Sequence, residues 1–186
     1  MELKDFYKFS PRGYMTQFYA PCPILLTERY KGISAFELLY GKYDNFDFPI
    51  IFQQRKSYGG QKITDFLNTG WGGLLTPISD KVLNLLIENN ITGWKTYPIR
   101  VFDKKGNEIE GYHGFSITGR CKDLDLTLVK ERVEYQYRES GPIYHHIKGF
   151  PLDISTWDSS DIFILSGTGY SFMSKKVYSI FKKAKV

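Results

Sequence analysis

Cysteine is nearly absent from this chain of 186 residues: Cys22 and Cys121 are its only thiols, and they stand far apart. That count excludes a disulfide scaffold and a paired-cysteine zinc site, so each reads as a free thiol or as core packing. Histidine is almost as scarce, with only His113, His145 and His146. The adjacent pair would point to opposite faces of a strand and could not jointly hold one metal ion, so neither a metal nor a cofactor is expected. Long apolar runs are missing too. The opening "MELKDFYKFSPRGYM" scatters charge among its apolar residues and lacks the ~7–15 residue apolar region of a secretory signal. No run approaches the ~18 residues of a membrane span, so no membrane partner is expected and the expected location is cytoplasmic. Also absent are a Gly-x-Ser-x-Gly elbow, a Gly-Lys-Ser/Thr phosphate loop and a His-Glu-x-x-His helix, which removes the readable signatures of serine hydrolases, nucleotide-binding loops and zinc proteases.

What the chain does have is aromatic and apolar bulk. Hydrophobic residues make up 42% and aromatics 17%, with 14 Tyr and 14 Phe, well above what a disordered chain carries. At this length a domain buries about 70% of its unfolded surface and needs no staples. One domain, or one domain with a small appendage, is the expectation.

The formal net charge is +5, and Lys175, Lys176, Lys182, Lys183 and Lys185 cluster at the end of the chain with no acid among them. On a helix, the last of these lysines would sit where the macrodipole favours cations. A solvated face is the favoured reading. The alternative is a basic face through Lys175, Lys176, Lys182 and Lys183, merging with Arg100, Lys104, Lys105 or Arg120, that binds nucleic acid with steep salt dependence.

Residues 1–60 are aromatic and broken by Pro11, Pro21, Pro23 and Pro49. This region is expected to be irregular, with a strand near 48–54, a helix near 33–40, and packing as part of the same unit. Residues 61–186 form the expected α+β core domain. It opens with a short helical pattern, "KITDFLN", followed by the glycine-rich "TGWGG".

One phrase occurs twice: "TPISDKVLNLLIEN" at 76–89 and "SFMSKKVYSIFKKA" at 171–184. In the first copy Ile78, Ser79 and Leu83 fit N′, N-cap and N4 of a helix; in the second Met173, Ser174 and Tyr178 take those places. The stripes Val82, Leu85, Leu86, Asn89 and Val177, Ile180, Phe181, Ala184 keep helical spacing, with Gly93 as the first stop. Upstream, "DFLNTGWGGLL" and "DIFILSGTGYSF" each run from an aspartate through apolar residues to a glycine turn. The echo is far too short for a solenoid and reads as two strand-turn-helix units, with "GGLLTP" and "GTGYSFM" as the possible strands.

Between the units, "WKTYPIRVFD" (94–103) and "YHGFSITGR" (112–120) flank a Lys-Gly-Asn turn, which reads as a hairpin with Pro98 at an edge or bulge. "LTLVKERVEYQYR" alternates like a strand but would tolerate a helix, and "PIYHHIKGFPLDI" and "DIFILSG" read as short strands. The fold class expected is α+β: a mostly antiparallel sheet with two capped amphipathic helices, at about 79–90 and 174–185, packed on it.

Chemistry is harder to find. Cys121 or Cys22 could meet a histidine in space, but with so few of each some pairing can always be drawn. Asp123/Asp125 and Asp158/Asp161 read as solvated turns, and "SGTGYS" as a glycine turn before a capped helix rather than a phosphate cradle. Trp71, Trp94 and Trp157 stand beside glycines or serines and could anchor an interface, although packing is the more common use of such rings.

The ending "SSDIFILSGTGYSFMSKKVYSIFKKAKV", with "YHGFSITGRC" and "GGLLTPISDKVLNLLIENNITGWKTYPIRV", resembles a bacterial family of immunity proteins from polymorphic-toxin systems, first catalogued as a domain of unknown function. In that family a segment like "ISDKVLNLL" precedes a strand like "YPIRV", and a closing Asp-Ile-Phe strand leads to a Ser-x-Lys helix. The likeness is strongest over residues 65–121 and 158–186. It implies a non-enzymatic α+β protein that binds and neutralises a cognate toxin. The resemblance carries over no toxin-contact residue; a binding module is expected to use exposed aromatic anchors, for which Tyr58, Trp71 and Trp157 are the candidates, with no catalytic residue and no metal. A nucleic-acid binder and an enzyme with a histidine-containing pocket are the alternatives.

Overall fold

Both serines of the repeated phrase cap a helix. The structure, a computed structural model, describes residues 5–10, 17–21, 34–43, 48–55, 60–69, 75–122, 131–136, 140, 144–148, 153–166 and 170–186, with the backbone alone for 131–135 and 144–148. Three α-helices occur among these residues: α1 (Ala35–Tyr40), α2 (Asp80–Glu88) and α3 (Lys175–Ala184). The extended Ser79 backbone presents its hydroxyl to the Val82 N–H at 3.4 Å, and Ser174 does the same for Val177 at 3.5 Å. α1 starts on a full capping box: the Glu37 N–H donates to Ser34 Oγ and the Ser34 N–H to Glu37 Oε2. These bonds satisfy N–H groups that the first helical turn leaves without partners.

Helix and strand alternate irregularly, as α+β requires. A four-stranded sheet runs in the order β1 (Phe6–Lys8), β12 (Ser171–Ser174), β11 (Ile162–Leu165), β8 (Gly119–Cys121). A second sheet places β7 (Tyr112–Ile117) between β3 (Ile78–Ser79) and β4 (Trp94–Tyr97), and a third places β5 (Ile99–Phe102) between β2 (Ile50–Gln53) and β6 (Glu108–Ile109). β9 (Glu131–Tyr135) and β10 (Tyr144–Lys148) form an antiparallel pair, and β10 contains His145 and His146. The pairings between these named strands are antiparallel except β2–β5 and β8–β11. From the aromatic N-terminal region, β1 joins β12 and β2 joins β5.

Three local expectations are corrected. "KITDFLN" is extended, not helical: Lys62, Phe66 and Asn68 bridge to Gln17, Ile78 and Tyr19. The strand of the first unit is Ile78–Ser79, on the cap itself and not in the "GGLLTP" segment, of which Leu75–Pro77 carry no strand. The expected hairpin is split at Pro98. Before it, β4 pairs with β7; after it, β5 turns to β2 and to β6, the Lys104–Asn107 turn connecting the latter. Proline has no N–H to continue a ladder, and here its carbonyl accepts instead from Ile50 N–H at 3.0 Å.

The helices bury one face each, through Val82 and Leu86 on α2 and Val177 and Phe181 on α3. Full burial of such a side chain contributes about 1.5–3 kcal/mol. β11 is buried on both sides: Ile162 and Ile164 face the main core, whereas Phe163 and Leu165 face a smaller cluster with Cys121 and Phe172. α2 ends at Glu88, earlier than Gly93, because Asn90 already takes a left-handed φ of 51°. Gly93, at φ 87°, turns the chain against β11; a Cβ there would lie 2.0 Å from the Ile162 carbonyl oxygen. Only glycine fits that approach.

Candidate functional site: a basic cleft beside the first unit

The duplicated phrase extends to its aspartates. Ser79 Oγ donates to Asp65 Oδ1 at 2.7 Å while the Ser79 N–H donates to the Asp65 carbonyl at 2.9 Å. Ser174 repeats both bonds on Asp161, at 2.9 and 2.8 Å. Each aspartate also faces the lysine two residues beyond the serine: Lys81 lies 3.2 Å from Asp65 and Lys176 3.6 Å from Asp161. One aspartate thus fixes the cap hydroxyl and the first helical turn through its carboxylate and the backbone register through its carbonyl.

The copies part company at the remaining oxygen. Asp161 Oδ2 accepts from the Thr92 N–H at 3.2 Å and from its hydroxyl at 3.3 Å, and Thr92 Oγ1 accepts in turn from the Asp161 N–H at 3.0 Å. Asp65 has no such clamp among the described residues; it lines an open cleft of about 850 Å³. Tyr112 stands over this segment, donating to the Thr64 carbonyl at 2.7 Å. Burial, reinforced by the Asp65 charge, pushes its phenol up to about 12.

Four elements build the cleft walls. The end of β1 is held to β12 by a Phe9 N–H to Ser171 carbonyl bond of 2.8 Å and by the Ser171 hydroxyl on the Phe9 carbonyl at 2.7 Å. The Lys62–Phe66 segment is tied to Phe18 through the Lys62 carbonyl at 2.9 Å. The C-terminal half of α3 closes the third side, and Tyr112 of β7 the fourth. The floor is aromatic: Phe66 meets Phe9 and Phe181 edge-to-face at 5.7 and 5.9 Å, and Tyr178 stacks on Tyr7 at 4.0 Å. Among the described lining residues, Lys8, Lys62, Lys182 and Lys185 stand against a single side-chain carboxylate, Asp65. Asp65 is itself engaged by Ser79 and Lys81. Lys182 and Lys185 are exposed, and no carboxylate pairs with Lys62, Lys182 or Lys185 among the described salt bridges.

Of the residues singled out in the sequence, Tyr58, Trp71 and Cys22 lie outside the described residues. Trp157 is half-buried, packed on Phe6 and Phe163 with its indole N–H on the Ser160 carbonyl at 3.0 Å. Trp94 likewise donates to the Ile91 carbonyl, at 2.7 Å, and stacks on Phe115. Lys175, Lys176 and Lys183 are exposed on α3 but do not line the cleft, whereas Lys182 does. Arg100 is held bidentately by Glu108 at 2.9 and 2.6 Å. Arg120 donates to the carbonyls of Ile117, Gly119 and Tyr40. Neither arginine joins the cleft lysines.

Of the cysteine and histidine candidates, Cys121 and His113 have described side chains, and both have partners in the fold. Cys121 is buried, its Sγ 3.2 Å from Thr156 Oγ1 and 3.4 Å from the Asp153 carbonyl, and burial pushes its thiol up, away from the reactive thiolate. His113 Nε2 lies 2.6 Å from Asp80 Oδ1 at the start of α2. Among the described residues no cluster of His, Cys, Asp and Glu could hold a metal ion, and no helix is long and apolar enough to cross a membrane.

Sequence reasoning had picked out Lys182 but not Lys8, Lys62 or Tyr112, which strand pairing alone brings to it. The aspartates heading the two echoes were the available signal. No known protein-family model matches the chain, and a search of characterised proteins finds no match either.

Proposed function

We propose that this chain is a non-enzymatic binding module, an immunity protein that binds and neutralises a cognate bacterial toxin in the cytoplasm. The observation that carries the reading is the cleft: a wide, open cavity with an aromatic floor and four lysines that no carboxylate pairs among the described salt bridges, next to a capped helix that is already satisfied. Binding sites of this kind gain affinity from apolar anchors and specificity from charge. The resemblance to toxin-immunity proteins supports the same reading. The residues that carry it, among them Ser79, Val82, Ser174 and Val177, serve the caps and core that hold the cleft walls.

The test is capture of the tagged full chain from cells co-expressing the genes that flank its own, at low and at high salt. A stoichiometric protein partner that survives high salt is the expected result. Recovery only of nucleic acid that dissociates in salt, or of no flanking gene product, would overturn the proposal.

A further inference from the structure

We infer that the cleft between α3, β1 and the Lys62–Phe66 segment is the docking groove, and that its occupant is an acidic segment of the protein partner carrying an apolar or aromatic side chain. This rests on the reading of the chain as a protein-binding module and names the site and the chemistry of what it binds.

Charge complementarity selects the occupant. Lys8, Lys62, Lys182 and Lys185 converge on the cleft, and the one side-chain carboxylate among its described lining residues, Asp65, is already paired with Lys81 and hydrogen-bonded by Ser79. Lys8 comes from β1, Lys62 from the segment bridged to Gln17 and Lys182 from the last turn of α3, so three separate stretches of chain supply the cations. Glutamate or aspartate side chains of a partner would meet lysines with no carboxylate of their own among the described salt bridges. That gives electrostatic steering as well as register.

The floor decides between a protein segment and nucleic acid. Base stacking needs an open ring face, but Phe9 and Phe181 are buried and engaged by Phe66, and Tyr178 is stacked on Tyr7 with the Lys182 ammonium 5.9 Å from its centroid. Ile63, 49% exposed on the same segment, instead offers aliphatic surface at the rim. The arginines that would extend a phosphate track, Arg100 and Arg120, are held by Glu108 and by backbone carbonyls. At about 850 Å³ the cleft has room for several side chains.

The probe is a fluorescent peptide, Glu-Glu-Phe-Glu-Asp-Leu-Glu-Glu, titrated with the full chain and followed by anisotropy at low salt. Lys182→Glu/Lys185→Glu reverses cleft charges, and Lys104→Glu/Lys105→Glu makes the same change in net charge on the exposed β5–β6 turn. The cleft variant is expected to bind at least tenfold more weakly than wild type, and the turn variant to stay within twofold. Lys62→Gln/Lys182→Gln, which removes charge without adding any, checks that misfolding is not the cause and is expected to lose about fivefold.

Equal weakening by the cleft and turn variants would reduce the effect to net charge and overturn the assignment. So would no binding of the peptide, or a thymidine oligonucleotide or inorganic phosphate displacing it at lower concentration. None of these results touches the immunity reading, which stands or falls on the flanking-gene partner.

Discussion

The two cap units are built alike and finished differently. In each, an aspartate holds the N-cap serine by side chain and carbonyl and reaches the lysine two residues on. In the second unit Thr92 fills the free edge of Asp161 with backbone and hydroxyl bonds, fastening the end of the α2 unit to the start of β11. In the first unit the corresponding edge, at Asp65, opens on the cleft. A motif repeated for mechanical reasons thus yields a closed joint once and an accessible surface once. The copy that the chain does not close is the one with room for a partner.

The joint is the place to break this comparison most severely. Gly93→Ala would force a Cβ against the Ile162 carbonyl at a φ of 87°, with an expected loss of about 3–4 kcal/mol in urea unfolding. The aspartates come next. Asp161→Ala abandons Thr92, Ser174 and Lys176 and should cost about 3 kcal/mol, against about 1.5 kcal/mol for Asp65→Ala, by the same measurement. Equal losses would mean that the Thr92 clamp adds nothing and that the copies do not differ as described.

The caps themselves should behave alike. Ser79→Ala and Ser174→Ala are each expected to lower stability by about 1 kcal/mol. Either one leaving the urea midpoint unmoved while abolishing partner binding would overturn the structural role of that serine. The smallest effect concerns Tyr112, whose folded pKa of about 12 exceeds the ordinary value of 10. Because the shift is upward, its contribution is fully present below pH 10 and is lost as pH rises through about 12. The difference in alkaline absorbance between wild type and Tyr112→Phe should therefore show a tyrosinate step near pH 12; a step near pH 10 would contradict the half-buried setting of the phenol.

How legible this was depends on the range of the interactions. Caps and stripes are local, so Ser79, Ser174, Val82, Leu86, Val177 and Phe181 could be read from spacing, and the helices fall within a residue or two of expectation. "KITDFLN" has equally good helical spacing, but the bridges of Lys62, Phe66 and Asn68 to distant chain outweigh its weak intrinsic preference. Pro98 signalled an interruption, though not that the chain would leave one sheet for another. Apart from the lysines at the chain's end, the cleft left little local trace: Lys8 reaches it because β1 pairs with β12, at the far end of the sequence. The aspartates were visible as echoes, but their shared duty as acceptors for the cap serines depends on three-dimensional pairing.

The central claim is that binding resides in the open unit, and growth tests it most directly. Cells expressing the toxic product of a flanking gene would receive wild type, Lys182→Glu/Lys185→Glu or Lys104→Glu/Lys105→Glu, with each protein's level checked. The account predicts growth with wild type and with the turn variant, and arrest with the cleft variant at equal abundance. Growth restored by the cleft variant would contradict the placement of the site, and arrest with all three would contradict the immunity function itself.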